Sequence, residues 1–124
     1  MMCSYALERQ SFGEPLANKQ TVQNWIADSV AEISAARLLT LNAAWKMDNG
    51  DDARSEISVI KFYVAKVLHD VIDRAIQVHG ALGYSKDTPL EMFYRDARAA
   101  RIYDGPDEVH RQAVAQRVLK TFKH

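Results

Sequence analysis

The fold is decided by the stretch from residue 18 to residue 79, which reads NKQTVQNWIADSVAEISAARLLTLNAAWKMDNGDDARSEISVIKFYVAKVLHDVIDRAIQVH. Apolar residues recur there at spacings of three and four, as in amphipathic helices. The turn Asp48-Asn49-Gly50-Asp51 interrupts the pattern, and Asp52 is placed to cap the second helical segment. The stretch predicts two long antiparallel helices, the first from about Asn18 to Met47 and the second ending at about His79.

The first long helix has apolar residues on two of its sides. One stripe consists of Val22, Ile26, Val30 and Ile33, and the other of Leu38, Leu41 and Trp45, joined to Ala27, Ala31 and Ser34. Because one partner helix can cover only one side, we expect the surplus to be buried by self-association.

Shorter helical segments flank this hairpin. The first, from about Met2 to Arg9, ends at a break from Phe12 to Pro15, and another starts at Thr88-Pro89-Leu90-Glu91, a capping box, and reaches about Tyr103. The last comes after Asp104-Gly105-Pro106. Since no segment alternates at period two for more than a few residues, the sequence predicts one all-α domain over residues 1–124, an up-and-down four-helix bundle with an extra short helix.

Composition excludes several classes of function. The 124 residues are 48% hydrophobic, and 16 Lys and Arg balance 16 Asp and Glu, so no overall charge favours nucleic acid or an anionic membrane. No apolar run is long enough for a membrane span. The single cysteine, Cys3, cannot form an internal disulfide, which indicates an intracellular location, cytoplasmic or mitochondrial. His69, His79, His110 and His124 lack convincing ligand spacing, which predicts no metal site.

Three breaks between helices hold the candidate functional residues. In the last, Asp104 precedes Gly105 and Pro106, a turn that can project a carboxylate into a cleft. A carboxylate beside apolar groups such as Ile102 and Tyr103 suits abstraction of a carbon-bound proton. The alternative is a helix-capping aspartate, which spacing alone favours.

The residues at the other two breaks can make close contact with a ligand. Gly80, after Gln77, frees backbone for close contact, although a simple glycine C-cap explains it as well. Arg9 with Ser11 and Phe12 offers a guanidinium, a hydroxyl and an aromatic face, a set suited to a pyrophosphate and a ring. The alternative is a solvated arginine next to a core phenylalanine.

The three breaks carry motifs that resemble the acyl-CoA dehydrogenase family, specifically its C-terminal helical domain. The segment from Tyr5 to Leu16 is similar to Tyr-Ala-x-x-Arg-x-x-Phe-Gly-x-x-Leu, and Gln77-Val78-His79-Gly80-Ala81-Leu82-Gly83 to Gln-x-x-Gly-Gly-x-Gly. The segment Asp104-Gly105-Pro106-Asp107-Glu108-Val109-His110 resembles one branch that has Asp in place of Glu-Gly-Thr and is often part of larger multidomain proteins.

The resemblance implies an FAD-dependent enzyme that removes hydrogen from the alpha and beta carbons of an acyl-CoA. It assigns cofactor contacts to Arg9, Ser11, Phe12, Gln20, Gln77, Gly80 and Ala81, the acyl-chain border to Tyr103 and Gly105, and the catalytic base to Asp104. It also implies a flavin shared between subunits, and therefore a homo-oligomer, a dimer or a tetramer.

Two departures from the family widen the alternatives. Asp104 is one methylene shorter than Glu, and related flavoenzymes with Asp oxidise other carbon acids, such as nitroalkanes. The family's N-terminal helical and middle beta domains have no counterpart in the 124 residues, so we expect the isolated chain to bind FAD weakly or not at all and to be inactive alone. A non-enzymatic oligomerisation module derived from the family is the other alternative.

Overall fold

A computed structural model of the chain describes residues 1–123. Within these residues the chain forms six α-helices: α1 (Met2–Glu8), α2 (Gln20–Asp48), α3 (Arg54–His79), α4 (Ala81–Tyr84), α5 (Leu90–Ala99) and α6 (Asp107–Lys120). The all-α prediction is confirmed. None of the helices in this described part is long and apolar enough to cross a membrane.

The helix α3 is the centre of the fold. The helix α2 packs along it, α5 and α6 also pack against it, and α1 and α4 contact it near its C-terminal end. The four long helices are therefore those of the predicted bundle. One extra short helix was predicted, whereas residues 1–123 contain two, because the segment after Gly80 forms the single turn α4 and not a loop.

The helix α2 has one buried line and one exposed apolar side, and the residues are distributed between them differently from the two predicted stripes. The buried line consists of Val22, Ser29, Ala36 and Ala43, mostly small residues that allow close helix packing. Val30, Ile33, Leu38, Leu41 and Trp45 are exposed, Trp45 by 61% of its surface. Val30 and Ile33 are thus not part of the buried stripe, and the exposed apolar side of α2 is larger than the sequence indicated.

A small β-hairpin comes after α1, where the sequence predicted only a break. Strands β1 (Gln10–Ser11) and β2 (Glu14–Pro15) pair antiparallel. Phe12 and Gly13 form the two-residue loop with φ of 53° and 81°, as a type I′ turn requires. Leu16 N–H donates to Arg9 O at 2.9 Å beyond the strands, and the hairpin presents Phe12 at its tip, 96% exposed.

Two predicted helix starts need correction. Asp52 Oδ1 does accept a hydrogen bond from Arg54 N–H at 3.0 Å, but the residue that bounds α3 is Ala53. The predicted capping box at Thr88 is wrong, because the Thr88 hydroxyl donates to Leu82 O at 3.3 Å and Glu91 forms an ion pair with Arg95. The helix α5 begins at Leu90 and ends at Ala99, and turns lead from there to Tyr103.

Candidate functional site

Two of the sequence motifs meet in a cleft at the C-terminal end of α3. The cleft has a volume of about 460 Å³, and it is lined by Tyr5, Arg9, Leu16, Gln77, Val78, His79, Gly80, Ala81 and Leu82. Four of the seven predicted cofactor residues, Arg9, Gln77, Gly80 and Ala81, are therefore neighbours, although up to 72 positions separate them along the chain (9 to 81).

Packing between α1 and α3 forms this cleft. The ring of Tyr5 stacks on the imidazole of His79 with centroids 4.2 Å apart. His79 is buried, and its Nδ1 lies 2.7 Å from Ala75 O, so Nδ1 carries the hydrogen. Beneath the stack, Ala6 and Val78 belong to one buried apolar cluster with Val22. Arg9, the C-cap residue directly after α1, is thereby placed beside the end of α3.

Gly80 is the C-cap of α3, one of the two alternatives that the sequence left open, and its backbone also borders the cleft. It ends α3 with φ of 60° and ψ of −137°, and its N–H donates to Gln77 O at 3.2 Å, as a C-cap residue does. A side chain built at Gly80 would meet no atom within 4 Å, so its backbone faces open space in the cleft. A positively charged side chain next to an open backbone fits the pyrophosphate of a dinucleotide.

The remaining three predicted cofactor residues lie outside the lining of this cleft. Ser11 and Phe12 are on the hairpin, and Gln20 is the first residue of α2. The alternative of a core phenylalanine is wrong, because Phe12 is 96% exposed, with the ammonium of Lys19 5.8 Å from its ring centroid.

Asp104 is in the turn between α5 and α6, and its backbone has φ of 53°, a region that side-chain-bearing residues rarely occupy. Its side chain is exposed. The alternative of a helix-capping aspartate is not supported within residues 1–123, since α6 begins at Asp107 and neither α5 nor α6 has a side-chain cap. The turn instead presents the carboxylate to solvent.

Tyr103 borders an apolar groove of about 420 Å³ between the long helices. Its other walls are Thr40, Ile57, Ile60, Lys61, Val64, Ala65, Leu68 and Ala100. Lys61 Nζ donates to Ala100 O at 2.6 Å and lies 5.2 Å from the Tyr103 ring centroid, so α3 holds the start of the turn directly. No sequence pattern indicated Lys61, because its partners are a backbone carbonyl and a ring 39 and 42 positions further on (61 to 100 and 103).

The expectation of apolar surroundings for Asp104 is not met by residues 1–123. Asp104 is exposed, and Ile102 and Tyr103 are themselves 60% and 55% exposed. Gly105 is partly buried beneath His110, and a side chain there would approach His110 Nε2 to 2.8 Å. The turn is therefore in contact with His110 at Gly105 and exposed to solvent at Asp104.

The two candidate regions lie far apart along α3. Lys61 contacts the turn that carries Asp104, while Gln77 lines the cleft with Arg9. The 16 positions from 61 to 77 correspond to about 24 Å at the helical rise of 1.5 Å per residue. The two groups of candidate residues are therefore separate from each other on one chain.

Ion pairs account for much of the remaining charge. Arg74 Nη1 and Nη2 bind Glu32 Oε2 and Oε1 at 2.6 and 2.9 Å, and this bidentate bond lowers the pKa of Glu32 and raises that of Arg74. Likewise, the bond from Arg101 to Asp107 raises the pKa of Arg101. Within residues 1–123, no group of three His, Cys, Asp or Glu side chains is placed to hold a metal ion. His124 lies outside the described residues.

Comparisons with known proteins identify the family of the chain. The sequence matches the family model for "Acyl-CoA dehydrogenase, C-terminal domain" over residues 1–119. It is 48% identical over 99% of its length to "Probable acyl-CoA dehydrogenase FadE2" of Mycobacterium tuberculosis, of which it covers 31%. It is 44% identical over 97% of its length to "Acyl-CoA dehydrogenase family member 11" of Rattus norvegicus, of which it covers 16%.

A solved structure shows the same fold. Butyryl-CoA dehydrogenase from Megasphaera elsdenii superposes with a TM-score of 0.92 at 31% identity, with 95% of this chain and 31% of that one covered.

The chain belongs to the acyl-CoA dehydrogenase family and has the fold of its C-terminal helical domain. Members of the family are FAD-dependent oxidoreductases that act on acyl-CoA substrates and form oligomers. The chain spans about a third or less of the relatives it matches.

Proposed function

We propose that these residues are the C-terminal domain of an FAD-dependent acyl-CoA dehydrogenase, and that each copy contributes to two flavin sites. The observation that carries the proposal is the separation of about 24 Å along α3 between Gln77, in the Arg9 cleft, and Lys61, which binds Ala100 O before the turn that carries Asp104. In one FAD molecule, the ribityl chain that joins the pyrophosphate to the flavin ring is much shorter than this separation. Two copies related by symmetry would each contribute residues to both sites, and protein beyond these residues would supply the rest.

The cleft residues act on the cofactor. Arg9 would pair with the pyrophosphate of FAD, with Gln77, the open backbone of Gly80 and Ala81 beside it. Ser11 and Phe12 on the hairpin and Gln20 at the start of α2 would reach the part of the same cofactor that extends beyond the cleft. Bound FAD supplies the acceptor for the hydride that leaves the beta carbon.

Asp104 acts on the substrate. Its carboxylate would take the proton from the alpha carbon of an acyl-CoA, with Tyr103 and Gly105 at the border of the acyl chain. Since residues 1–123 leave Asp104 exposed, the apolar cover that makes a carboxylate basic would come from the bound acyl chain and from protein beyond these residues. The exposed carboxylate supports the expectation that the isolated chain is inactive.

The exposed apolar side of α2 supports a homo-oligomer, a dimer or a tetramer. Leu38, Leu41 and Trp45 are 67%, 54% and 61% exposed, which favours burial against a second copy. The same surface is the one observation that favours the second candidate function, a non-enzymatic oligomerisation module. The exposed thiol of Cys3 supports an intracellular location, cytoplasmic or mitochondrial.

One experiment on the purified chain tests both the cofactor and the assembly. The flavin absorbance and the molar mass by light scattering are measured in the same run. We expect an oligomer that retains little or no FAD, because half of each cofactor site is absent. Stoichiometric FAD would refute the expected weak binding, and a monomer would refute the role of α2 in assembly.

A second experiment tests Asp104 in a complete enzyme. Asp104→Asn should abolish removal of the alpha proton and leave FAD bound, whereas the control Asp96→Asn, at an exposed position on α5, should keep normal turnover. Near-normal turnover of Asp104→Asn with an acyl-CoA would remove the residue from this role. Turnover with a nitroalkane and none with acyl-CoA would favour another carbon acid as substrate.

A further inference from the structure

The turn that carries Asp104 has an unfavourable backbone. Asp104 and Gly105 have φ of 53° and 92°, two consecutive residues in the left-handed region. Asp pays a conformational cost there that Gly does not, and such conformations persist only where surrounding contacts impose them. The contacts that impose this turn are therefore informative about how Asp104 is positioned.

One contact closes the turn from inside the protein. Asp107 is 1% exposed, and its Oδ2 accepts a hydrogen bond from Arg101 Nε at 2.8 Å. The backbones of the same two residues are also hydrogen-bonded, because Asp107 N–H donates to Arg101 O at 3.3 Å. Among the described residues Asp107 Oδ1 has no hydrogen-bond partner, so Arg101 is the counter-charge on which the buried carboxylate depends.

A second contact holds the middle of the turn. His110 Nε2 lies 3.1 Å from Asp104 O, and because a carbonyl oxygen only accepts, Nε2 carries the hydrogen. Gly105 makes this approach possible, since a Cβ at that position would come within 2.8 Å of the same nitrogen. The imidazole thus binds the backbone of Asp104 itself.

We propose that Arg101, Asp107 and His110 are positioning residues for Asp104. The ion pair of partly exposed Arg101 with buried Asp107 fixes the two ends of the turn, and His110 fixes the carbonyl of Asp104 between them. Together they impose the left-handed backbone that directs the Asp104 carboxylate outward. What Asp104 does with this geometry rests on the proposed function, whereas the geometry itself does not.

The test begins with the chain itself, by NMR. Arg101→Gln and Asp107→Asn should shift the backbone resonances of Asp104 and Gly105 and end the positive φ of Asp104. The Asp107 amide should exchange with solvent at least about tenfold faster, since its bond to Arg101 O is loosened. The matched control is Arg95→Gln, which removes an exposed ion pair with Glu91 on α5 and should leave these signals unchanged.

Three further variants keep the test decisive if the first ones unfold. His110→Gln retains an N–H donor and should preserve the turn, whereas His110→Ala should lose it. Arg101→Lys should restore part of the native spectrum, because a cation near Asp107 is retained. If Asp104 keeps its positive φ and the Asp107 amide its protection in all of these variants, the positioning role is refuted.

Measuring enzyme activity distinguishes a role in positioning Asp104 from a role in stabilising the fold alone. In a complete flavoenzyme, Arg101→Gln should lower kcat by about 10- to 100-fold, the size expected for a base displaced by about 1 Å, with KM for acyl-CoA and bound FAD unchanged. An unchanged kcat with a displaced turn would overturn the positioning role. A displaced turn together with normal turnover of Asp104→Asn would refute the proposed function instead.

Discussion

Tyr5 stacks on His79 with ring centroids 4.2 Å apart and planes inclined by 19°. This contact joins the first sequence motif to the second, because Tyr5 is in α1 and His79 is the last residue of α3. It places Arg9 in the same cleft as Gln77 and Gly80. The stack is thus the structural reason that two distant motifs form one candidate cofactor site.

Tyr5→Ala should lower the free energy of unfolding by about 2 kcal/mol, because it removes the stack and part of the buried contact between α1 and α3. Urea denaturation of the chain measures this loss. Tyr84→Ala is the matched control, since Tyr84 is 80% exposed, and it should change stability by less than about 0.5 kcal/mol. Equal effects at both positions would mean that the stack does not anchor α1.

Gly83→Ala should destabilise the chain by about 1 to 3 kcal/mol, because a Cβ would come within 2.7 Å of Ile76 O and 2.9 Å of His79 Cβ. Thermal unfolding provides the measurement. Gly50→Ala separates crowding from backbone strain, because Gly50 has φ of 76° with no atom within 4 Å of a built Cβ. That control should cost only about 1 kcal/mol. A larger loss at Gly50 than at Gly83 would contradict the close packing of α4 on α3.

Stability should fall in acid partly through Glu32. Its bond to Arg74 lowers the folded-state pKa below the ordinary value, so the pair stabilises the fold above the unfolded-state pKa of about 4.3. That contribution is lost as the pH falls through the lower folded-state pKa. Glu32→Gln should cost about 1 kcal/mol at pH 7 and flatten the decline of unfolding free energy below pH ~4.3. Glu8→Gln, at an exposed position, should leave the decline as steep as before.

Phe12→Asn should raise the stability of the chain by about 1 kcal/mol, because Asn tolerates the positive φ of this turn better than Phe does. In a complete enzyme the same change should weaken FAD binding, since the exposed ring is a proposed cofactor contact. Phe12→Ala removes the ring without favouring the turn, so it should weaken FAD binding and leave stability unchanged. Normal FAD binding by both variants would remove Phe12 from the cofactor site.

The sequence was sufficient to predict the two long helices, but it did not predict α4 or the contacts at the helix ends. Periodicity located α2 and α3 because the recurrence of apolar residues at spacings of three and four is a local property of the sequence. Thr88 shows the limit: its capping-box pattern was present, but the hydroxyl bonds Leu82 O in α4, a helix that the sequence did not predict.

The residues of the candidate site were identified from sequence motifs, whereas the tertiary contacts that position them could not be predicted from the sequence. Arg9, Gln77 and Asp104 were recognised by resemblance, whereas the bonds that position them depend on tertiary structure. Lys61 to Ala100 and His110 to Asp104 each end on a backbone carbonyl, which carries no side-chain signal in the sequence. The burial of Asp107 was likewise invisible, because charged residues at a helix start are usually exposed.

Complementation between two inactive variants tests the shared flavin site most directly. This chain replaces the matching part of the mycobacterial relative, and the Arg9→Ala and Asp104→Asn forms of the chimaera are made separately and by co-expression. If each site takes Arg9 from one copy and Asp104 from another, each variant alone is inactive. In the co-expressed mixture about half of the pairs are mixed, and one of the two sites in each mixed pair has both residues unmodified. The mixture should therefore regain about one quarter of the unmodified turnover. No turnover in the mixture, with mixed oligomers confirmed by tags, would contradict the shared site.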